Sequence, residues 1–347
     1  MAKFLTAKEL AIKVSICLVL LAVVMSLCAL FPRSVGTRKI SWTKVFAGPG
    51  QNPGENIDYE IFIGVRLPRV ILAALVGAAL ACSGVVLQAV LRNPLADPYI
   101  LGISSGAGLG VIIAVLSGVT WNFWGGSPMA VFAFAGSLAT VWLVWYIGCF
   151  TGKSQVTNLL LAGVVVNAFF SAVIMFLTSV ANSQQLRTTI YWLMGNITEK
   201  DWGVLLISAG CILTGIIALF ALCHRLNVLA LGQEEAKGLG VNVARTRIIA
   251  FACAAFVTAI AVSLSGLIGF VGLIIPHGVR LVFGPDHRQL LPLSAIAGSA
   301  FLVIADTLAR TVFGQEQLPV GVITAIAGGP FFLILLAKYS RKVSWSK

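Results

Sequence analysis

Few residues of this chain combine the type and spacing that catalysis or metal binding requires. The segment Thr151–Ser154 reads Thr-Gly-Lys-Ser, like the end of a phosphate-binding loop. However, Gly148 stands one residue too close to it, and an apolar stretch precedes it where such a loop needs a strand. The three histidines share no helical metal-ligand spacing, so we expect loop-capping or interfacial roles for His224, His277 and His287. The sequence therefore predicts neither a catalytic site nor a metal site.

One acidic residue, Asp306, stands inside an apolar run. Ionisable side chains at membrane depth mark ion or proton pathways, and an ion-coupled carrier is expected to show several of them. Arg310 follows four residues later, a spacing at which Asp and Arg support a helix end. This arrangement argues against an ion-coupled secondary transporter. That class is kept as the alternative to a transporter driven by another energy source. An intramembrane enzyme would need paired catalytic groups at membrane depth, and the sequence offers no such pair.

A polar segment interrupts the apolar sequence at Leu229–Arg247, within a loop that covers residues 224–247. Its residues Gln233–Lys237 favour a helix, and Gly238 and Gly240 suit the C-terminus of that helix. We expect a short amphipathic helix at the cytosolic surface, either as a plain connector or as a contact for a soluble partner. Its apolar members would be Leu229, Leu231, Ala236 and Leu239.

The composition identifies the class of protein that carries these residues. Of the 347 residues, 59% are hydrophobic and 10% charged, whereas soluble domains have about 25% charged residues. The mean hydropathy is +0.97, and the apolar runs are long and do not alternate with polar residues, so they predict membrane-spanning helices. The net charge of +12 is spread without a dense basic patch interleaved with aromatic residues. It therefore favours membrane orientation and partner docking over nucleic-acid binding.

Apolar runs bounded by charges or by Gly, Pro and Asn clusters predict about ten transmembrane helices. The seventh and eighth are separated at Ser265-Gly266, although the uncharged stretch from Ile248 to Ile275 also allows one long tilted helix. The predicted spans are Ala11–Phe31, Val70–Leu91, Tyr99–Leu116, Met129–Phe150, Leu159–Val180, Val204–Leu222, Ile248–Leu264, Gly269–Phe283, Leu290–Ala309 and Val320–Ala337.

An even number of spans places both termini on the same side of the membrane. If that side is the cytosol, fifteen of the 24 basic residues are cytosolic, which agrees with the positive-inside rule. The lysines near the N-terminus precede an apolar run that is longer than the core of a signal peptide. Because no small-residue cleavage site follows before Phe31-Pro32, we expect an uncleaved first span.

A series of short motifs extends over about residues 60–337. Together with the polar segment, their order resembles the FecCD-type permeases, the membrane subunits of ABC importers for iron chelates, haem and vitamin B12. The motifs are Arg66–Arg69, Gly77–Ala81, Gln88, Arg92–Pro98, Leu101–Ala107, Leu159–Gly163, Tyr191–Gly195, Leu231–Ala236, Gly238–Val241, Gly269–His277, Asp286–Arg288, Ala305–Arg310 and Leu318–Val322.

The resemblance implies an assembly. The chain, residues 1–347, would form a single all-α transmembrane domain like the permease of the vitamin B12 importer. Two permeases pair in this family, most simply as a homodimer here, in the bacterial cytoplasmic (inner) membrane. Two ATPase subunits bind below and hold the ATP and Mg, so the permease itself carries no cofactor, and a substrate-binding protein delivers cargo from outside. The motifs are shared by importers of siderophores, haem and cobalamin, so they do not name the cargo.

The resemblance also implies three groups of site residues. The polar segment would be a pair of cytosolic helices that fits a groove in the ATPase, and the coupling residues would be Gln233, Glu234, Glu235, Ala236, Gly238, Leu239 and Gly240. The binding protein would dock through Arg66, Arg69 and Arg310, because a guanidinium binds carboxylates in a bidentate manner and stays charged; plain snorkelling at a helix start is the alternative for the first two. The cytosolic gate would be lined by Asn93, Leu95, Val156 and Thr157, with a simple chain reversal as the alternative for the first two.

Spans two to five begin outside and spans seven to ten begin inside. Any similarity between the two quartets would therefore be an inverted repeat, a common plan of transporters. The sequences of the quartets share little beyond the placement of Pro, Leu, Ser and Gly. The repeat is a hypothesis at this point.

Overall fold

The computed structural model describes residues 7–30, 41–50, 55–120, 127–150, 155–198, 201–312 and 317–344. Within these ranges every regular element is helical. The α-helices are α1 (Ala7–Leu30), α2 (Trp42–Phe46), α3 (Ile57–Tyr59), α4 (Leu67–Val90), α5 (Ile103–Leu116), α6 (Pro128–Phe150), α7 (Gln155–Ser179), α8 (Ser183–Leu193), α9 (Trp202–Ala221), α10 (Cys223–Leu231), α11 (Gln233–Gly238), α12 (Val243–Ser265), α13 (Val271–Phe283), α14 (His287–Thr311) and α15 (Val320–Ser344).

Each of the ten predicted spans corresponds to a helix. Seven helices in the described part of the chain are long and apolar enough to cross a membrane, and the first long segment inside the bundle runs without a break from Ile57 through a π-helical turn into α4. Three apolar helices are shorter, at Ile103–Leu116, Val271–Phe283 and Val320–Ile334. The prediction of an all-helical membrane protein is confirmed.

The break between the seventh and eighth spans is confirmed, and the single tilted helix is wrong. α12 ends at Ser265 and α13 begins at Val271, with left-handed backbone at Gly266 (φ 68°) and Phe270 (φ 69°). A Cβ on Gly266 would lie 2.3 Å from the carbonyl oxygen of Trp192. The broken segment is tied to the end of α8, because the Asn196 N–H donates to the carbonyl of Ser265 at 2.8 Å.

Two local predictions need correction. The third span does not begin at Tyr99, because residues Pro98–Leu101 form a 3-10 turn and Gly102 is left-handed (φ 76°) before α5 starts. The helix α8 was not predicted at all, since its sequence is amphipathic and lacks an apolar run. A signal for it exists in the capping box, in which the Gln185 N–H donates to Asn182 while the Gln185 side chain accepts from the Asn182 N–H.

Helix α4 lies at the centre of the bundle, against α9, α10, α12, α13 and α14. Small residues allow this close approach, as is usual between membrane helices. A Cβ on Gly77 would lie 2.2 Å from the carbonyl oxygen of Gly298 in α14, and one on Gly84 would lie 1.9 Å from the carbonyl oxygen of Gly272 in α13. Glycine is therefore required at these crossings for steric reasons.

Helix lengths follow the same order in the two quartets of the predicted repeat. The helices α4 to α7 have 24, 14, 23 and 25 residues, and α12 to α15 have 23, 13, 25 and 25 residues. In both quartets the short second helix follows a left-handed residue, Gly102 or Phe270. These lengths agree with a repeat, and both the repeat and its inverted orientation stay predictions.

Candidate functional site

The polar segment forms two helices, which agrees with the helix pair that the family resemblance implies, whereas its composition alone predicted one. Gly232, with φ 152° and ψ 161°, separates α10 from α11. Leu229, Ala236 and Val243 are buried together and hold the two helices against the start of α12. Of the four predicted apolar members, Leu229 and Ala236 are buried, whereas Leu231 and Leu239 are 66% and 63% exposed.

The exposed side of this segment combines acidic and apolar groups. Of the seven predicted coupling residues, Ala236 is buried and the others are exposed, namely Gln233, Glu234, Glu235, Gly238, Leu239 and Gly240. Glu234 pairs with Lys237 at 2.8 Å on the open surface. A groove of about 790 Å³ runs beside the segment and is lined by Ala89, Arg92, Ala230, Leu231, Gly232, Gln233, Glu234 and Glu235.

The side chain of Asn227 joins helix α10 to the beginning of α14 by hydrogen bonds. Its amide donates to Asp286 Oδ1 at 2.7 Å, and its Oδ1 accepts the backbone N–H of His287 at 2.8 Å. The ring Nδ1 of His287 lies 2.7 Å from the same oxygen. Since an amide oxygen only accepts, this ring nitrogen carries the proton. The thiol of Cys223 adds a contact to the His287 carbonyl at 3.2 Å.

The carboxylate of Asp286 is well suited to this position. It caps α14 by accepting the Arg288 N–H at 3.0 Å, and the Arg288 guanidinium pairs with it at 2.9 Å. Partial burial raises its pKa, but the hydrogen bonds from Arg288 and Asn227 lower it more, so that the pKa of Asp286 is about 2. Asp286 is therefore ionised at neutral pH and is a strong acceptor for the Asn227 amide.

The same helix α10 is attached to the end of α4. Arg92 has left-handed backbone (φ 48°), and its Nη2 donates to the carbonyl oxygen of Leu229 at 3.0 Å. This carbonyl belongs to the last turn of α10, where carbonyl groups lack partners within the helix. The polar segment is thus held by α4 on one side and by α14 on the other.

A buried cluster of charges lies near the other end of α4 and α14. Asp306 is 1% exposed and pairs with Arg69 Nη2 at 3.0 Å and with Arg310 Nε at 3.1 Å. The Nε of Arg69 also donates to this carboxylate at 3.1 Å, and its Nη1 donates to Gln317 at 3.3 Å. The predicted Asp306–Arg310 pair is present, and Arg69, which is 237 residues away from Asp306 in sequence, completes it.

This cluster carries more positive than negative charge. Arg310 repels Arg69 and also lies close enough to Arg66 to repel it. Arg66 and Arg310 are half-buried, whereas Arg69 is buried and held by Asp306 and Gln317. The partly exposed guanidinium groups of Arg66 and Arg310 suit an acidic partner, whereas the guanidinium of Arg69 is occupied by Asp306. The docking role of the three arginines stays a prediction.

The predicted gate residues stand on the turn after α4 and at the start of α7. The Asn93 side chain accepts a hydrogen bond from the Leu95 N–H at 2.9 Å, which shapes the turn. Leu95 lines a small cavity beside α13 and α15. Thr157 is exposed in the first turns of α7, and the side chain of Val156 lies outside the described residues. Helix α7 packs against the 3-10 turn that follows Leu95. A common gate formed by these residues stays a prediction.

The other candidate groups are dispersed. Thr151–Ser154 lies outside the described residues. His224 is exposed, His277 is buried in α13, and His287 takes part in the contact with Asn227. Within the described ranges, His, Cys, Asp and Glu side chains form no group of three or more that could hold a metal ion.

Comparison with known proteins places the chain in a family. The model of the FecCD transport family matches residues 18–338. The cobalamin import system permease protein BtuC of Halobacterium salinarum is 47% identical over 279 residues, which cover 80% of this chain and 73% of that protein. The hemin transport system permease protein HmuU of Yersinia pestis is 42% identical over 288 residues, which cover 82% and 86% of the two chains.

A solved structure agrees with these relatives. It is described as an inward-facing conformation of a metal-chelate type ABC transporter, and it is similar to this chain with a TM-score of 0.78 and 32% identity. The match covers 93% of this chain and 99% of that one. The protein is therefore a multi-pass membrane protein with the fold of an ABC importer permease. The chain belongs to the FecCD transport family.

Proposed function

We propose that this chain is the translocation subunit of an ATP-driven importer for a metal chelate, haem or cobalamin. Two copies would pair in the cytoplasmic membrane with both termini in the cytosol, two ATPase subunits would bind the polar segment, and a substrate-binding protein would dock on the outer arginines. The chain breaks no bond itself. ATP and Mg would be bound by the ATPase subunits.

The observation that carries the proposal is which side chains the polar segment exposes and how it is attached to the helix bundle. It exposes glutamates and large apolar side chains, Leu231 and Leu239, on a surface that is tied to two central helices of the bundle. A plain connector has no need for either feature, because exposed apolar groups near acidic ones are typical of a partner contact. A soluble subunit that grips this surface would displace α4 and α14 directly.

Helix α7 provides a surface for the second copy. Its exposed side carries a continuous apolar stripe, formed by Leu161, Val165, Phe169 and Phe176. These residues follow helical spacing, so they lie on one face that another helix or lipid must cover. In the proposed dimer, α7 would flank the channel, and its apolar stripe would pack against the second copy.

A vesicle assay with variants of the polar segment tests the proposed coupling. Replacing Glu234 and Glu235 with Lys reverses two exposed charges without disturbing the buried Ala236. We expect the complex with the cognate ATPase to lose ATP-driven uptake of its cargo at least tenfold, because charge reversal at a contact repels its partner. The matched control is Gln184→Lys on the exposed side of α8, which is expected to keep uptake within twofold. Unchanged uptake in the glutamate variant would contradict the coupling role.

A further inference from the structure

Helices α4 and α14 form one frame that reaches from the outer arginine cluster to the polar segment. At the outer end the frame is closed by the Arg69–Asp306 ion pair. In its middle, the Ser299 hydroxyl donates to the carbonyl of Ala74 at 2.7 Å, beside the close crossing of Gly77 and Gly298. Asp286 and Asp306 are twenty residues apart, or about 30 Å along a helix, which is the thickness of a membrane core.

Helix α10 closes the frame at its inner end. It meets α4 through Arg92 and α14 through Asn227. The contact at Arg92 ends on a backbone carbonyl, so it depends on the position of the chain and not on a particular side chain of α10. The contact at Asn227 instead uses one amide for three interactions with Asp286 and His287.

We propose that Asn227 is the positioning residue that joins the polar segment to α14, so that a displacement of this segment reaches the outer arginine cluster. The inference rests on the proposed function. Two properties favour a positioning role for Asn227 over a simple packing contact between the helices. The amide bonds a partly exposed carboxylate, a backbone N–H at a helix N-terminus and a histidine ring at once, and a sliding movement of one helix past the other would break these bonds. The frame above it is packed through glycines, so it moves as a rigid unit.

The test compares Asn227→Ala with Asn242→Ala in the complete complex with ATPase and binding protein. Both substitutions remove an asparagine amide from the same loop, residues 224–247. Asn242 caps α12 by accepting the Arg245 N–H at 3.0 Å, so its loss weakens a local helix end without touching α14. We expect N227A to fold and to hydrolyse ATP, but to hydrolyse roughly fivefold more ATP per imported cargo molecule, a factor of the size by which two weakly coupled sites affect each other. N242A is expected to keep the wild-type ratio.

A second variant covers the case in which N227A does not fold. Asn227→Asp keeps the size and the acceptor oxygen, but it puts a carboxylate where the amide donates to Asp286. It is expected to raise the ratio of ATP to cargo as well, and stimulation of hydrolysis by the binding protein is expected to fall in the same proportion.

The outcomes separate the two proposals. Cobalamin, haem and ferric chelates serve as the probes, and the wild-type complex is measured first. If none of them is imported with ATP, the proposed function fails. If the wild-type complex imports one of them and both Asn227 variants keep its ATP-to-cargo ratio within twofold, the proposed importer function is supported and the proposed role of Asn227 is refuted.

Discussion

The buried charge cluster makes a quantitative prediction about stability. In the variant Asp306→Asn, the guanidinium groups of Arg69 and Arg310 lose the carboxylate that neutralises them. Their side chains are only 8% and 17% exposed, so water screens little of this loss. Removing one partner of a buried pair costs about 3–5 kcal/mol. For a chain of 347 residues, 1 kcal/mol shifts the midpoint of thermal unfolding by about 1.4 °C, so the midpoint in detergent is expected to fall by about 4–7 °C.

A double-mutant cycle identifies the cause of that loss. The variant Arg69→Gln removes one excess cation, so combining it with D306N is expected to cost about 1–3 kcal/mol less than the sum of the single losses. Glu234→Gln is the matched control, because its pair with Lys237 is 81% and 58% exposed and worth about 0–1 kcal/mol. The reasoning is refuted if D306N melts no lower than E234Q, or if the two losses in the cycle simply add.

Two further predictions concern the frame. Gly77→Ala is expected to destabilise the protein by about 1–3 kcal/mol, because the added Cβ would meet the Gly298 carbonyl. The control is Gly210→Ala, whose Cβ would meet nothing within 4 Å and which is expected to be neutral or stabilising. Equal melting temperatures of the two variants would contradict this reasoning. The lowered pKa of Asp286, about 2, means that its stabilising contribution is complete above about pH 4 and is lost as the pH falls toward 2. The melting difference between the wild type and Asp286→Asn is therefore expected to shrink in acid, and a constant difference contradicts it.

Hydropathy was sufficient to predict most of the helices. A membrane span needs about 20 apolar residues, and this requirement leaves a continuous trace in the sequence for helices such as α4, α6 and α9. Helix α8 leaves no such trace, because its amphipathic sequence resembles a loop between spans. The break after Ser265 was predictable from glycine, but the start of α5 was not, because the turn at Tyr99 continues the same apolar run.

The contacts of the site were harder to predict than its surface. The exposed glutamates of the polar segment follow from their local composition. The Arg69–Asp306 and Asn227–Asp286 contacts join residues that are 237 and 59 positions apart, and a single polar pair leaves no periodic pattern between them. Helical spacing could not show which apolar side chains are exposed, because Gly232 changes the direction of the chain between α10 and α11 and leaves Leu231 and Leu239 on the surface.

Reconstituted transport tests the central claim most directly. The purified permease, with and without its cognate ATPase and binding protein, is placed in vesicles and offered cobalamin, haem or a ferric chelate, with either ATP or an ion gradient as the energy source. We predict uptake of one of these compounds only when the ATPase, the binding protein and hydrolysable ATP are all present. Uptake by the permease alone, driven by an ion gradient, would contradict the proposed function.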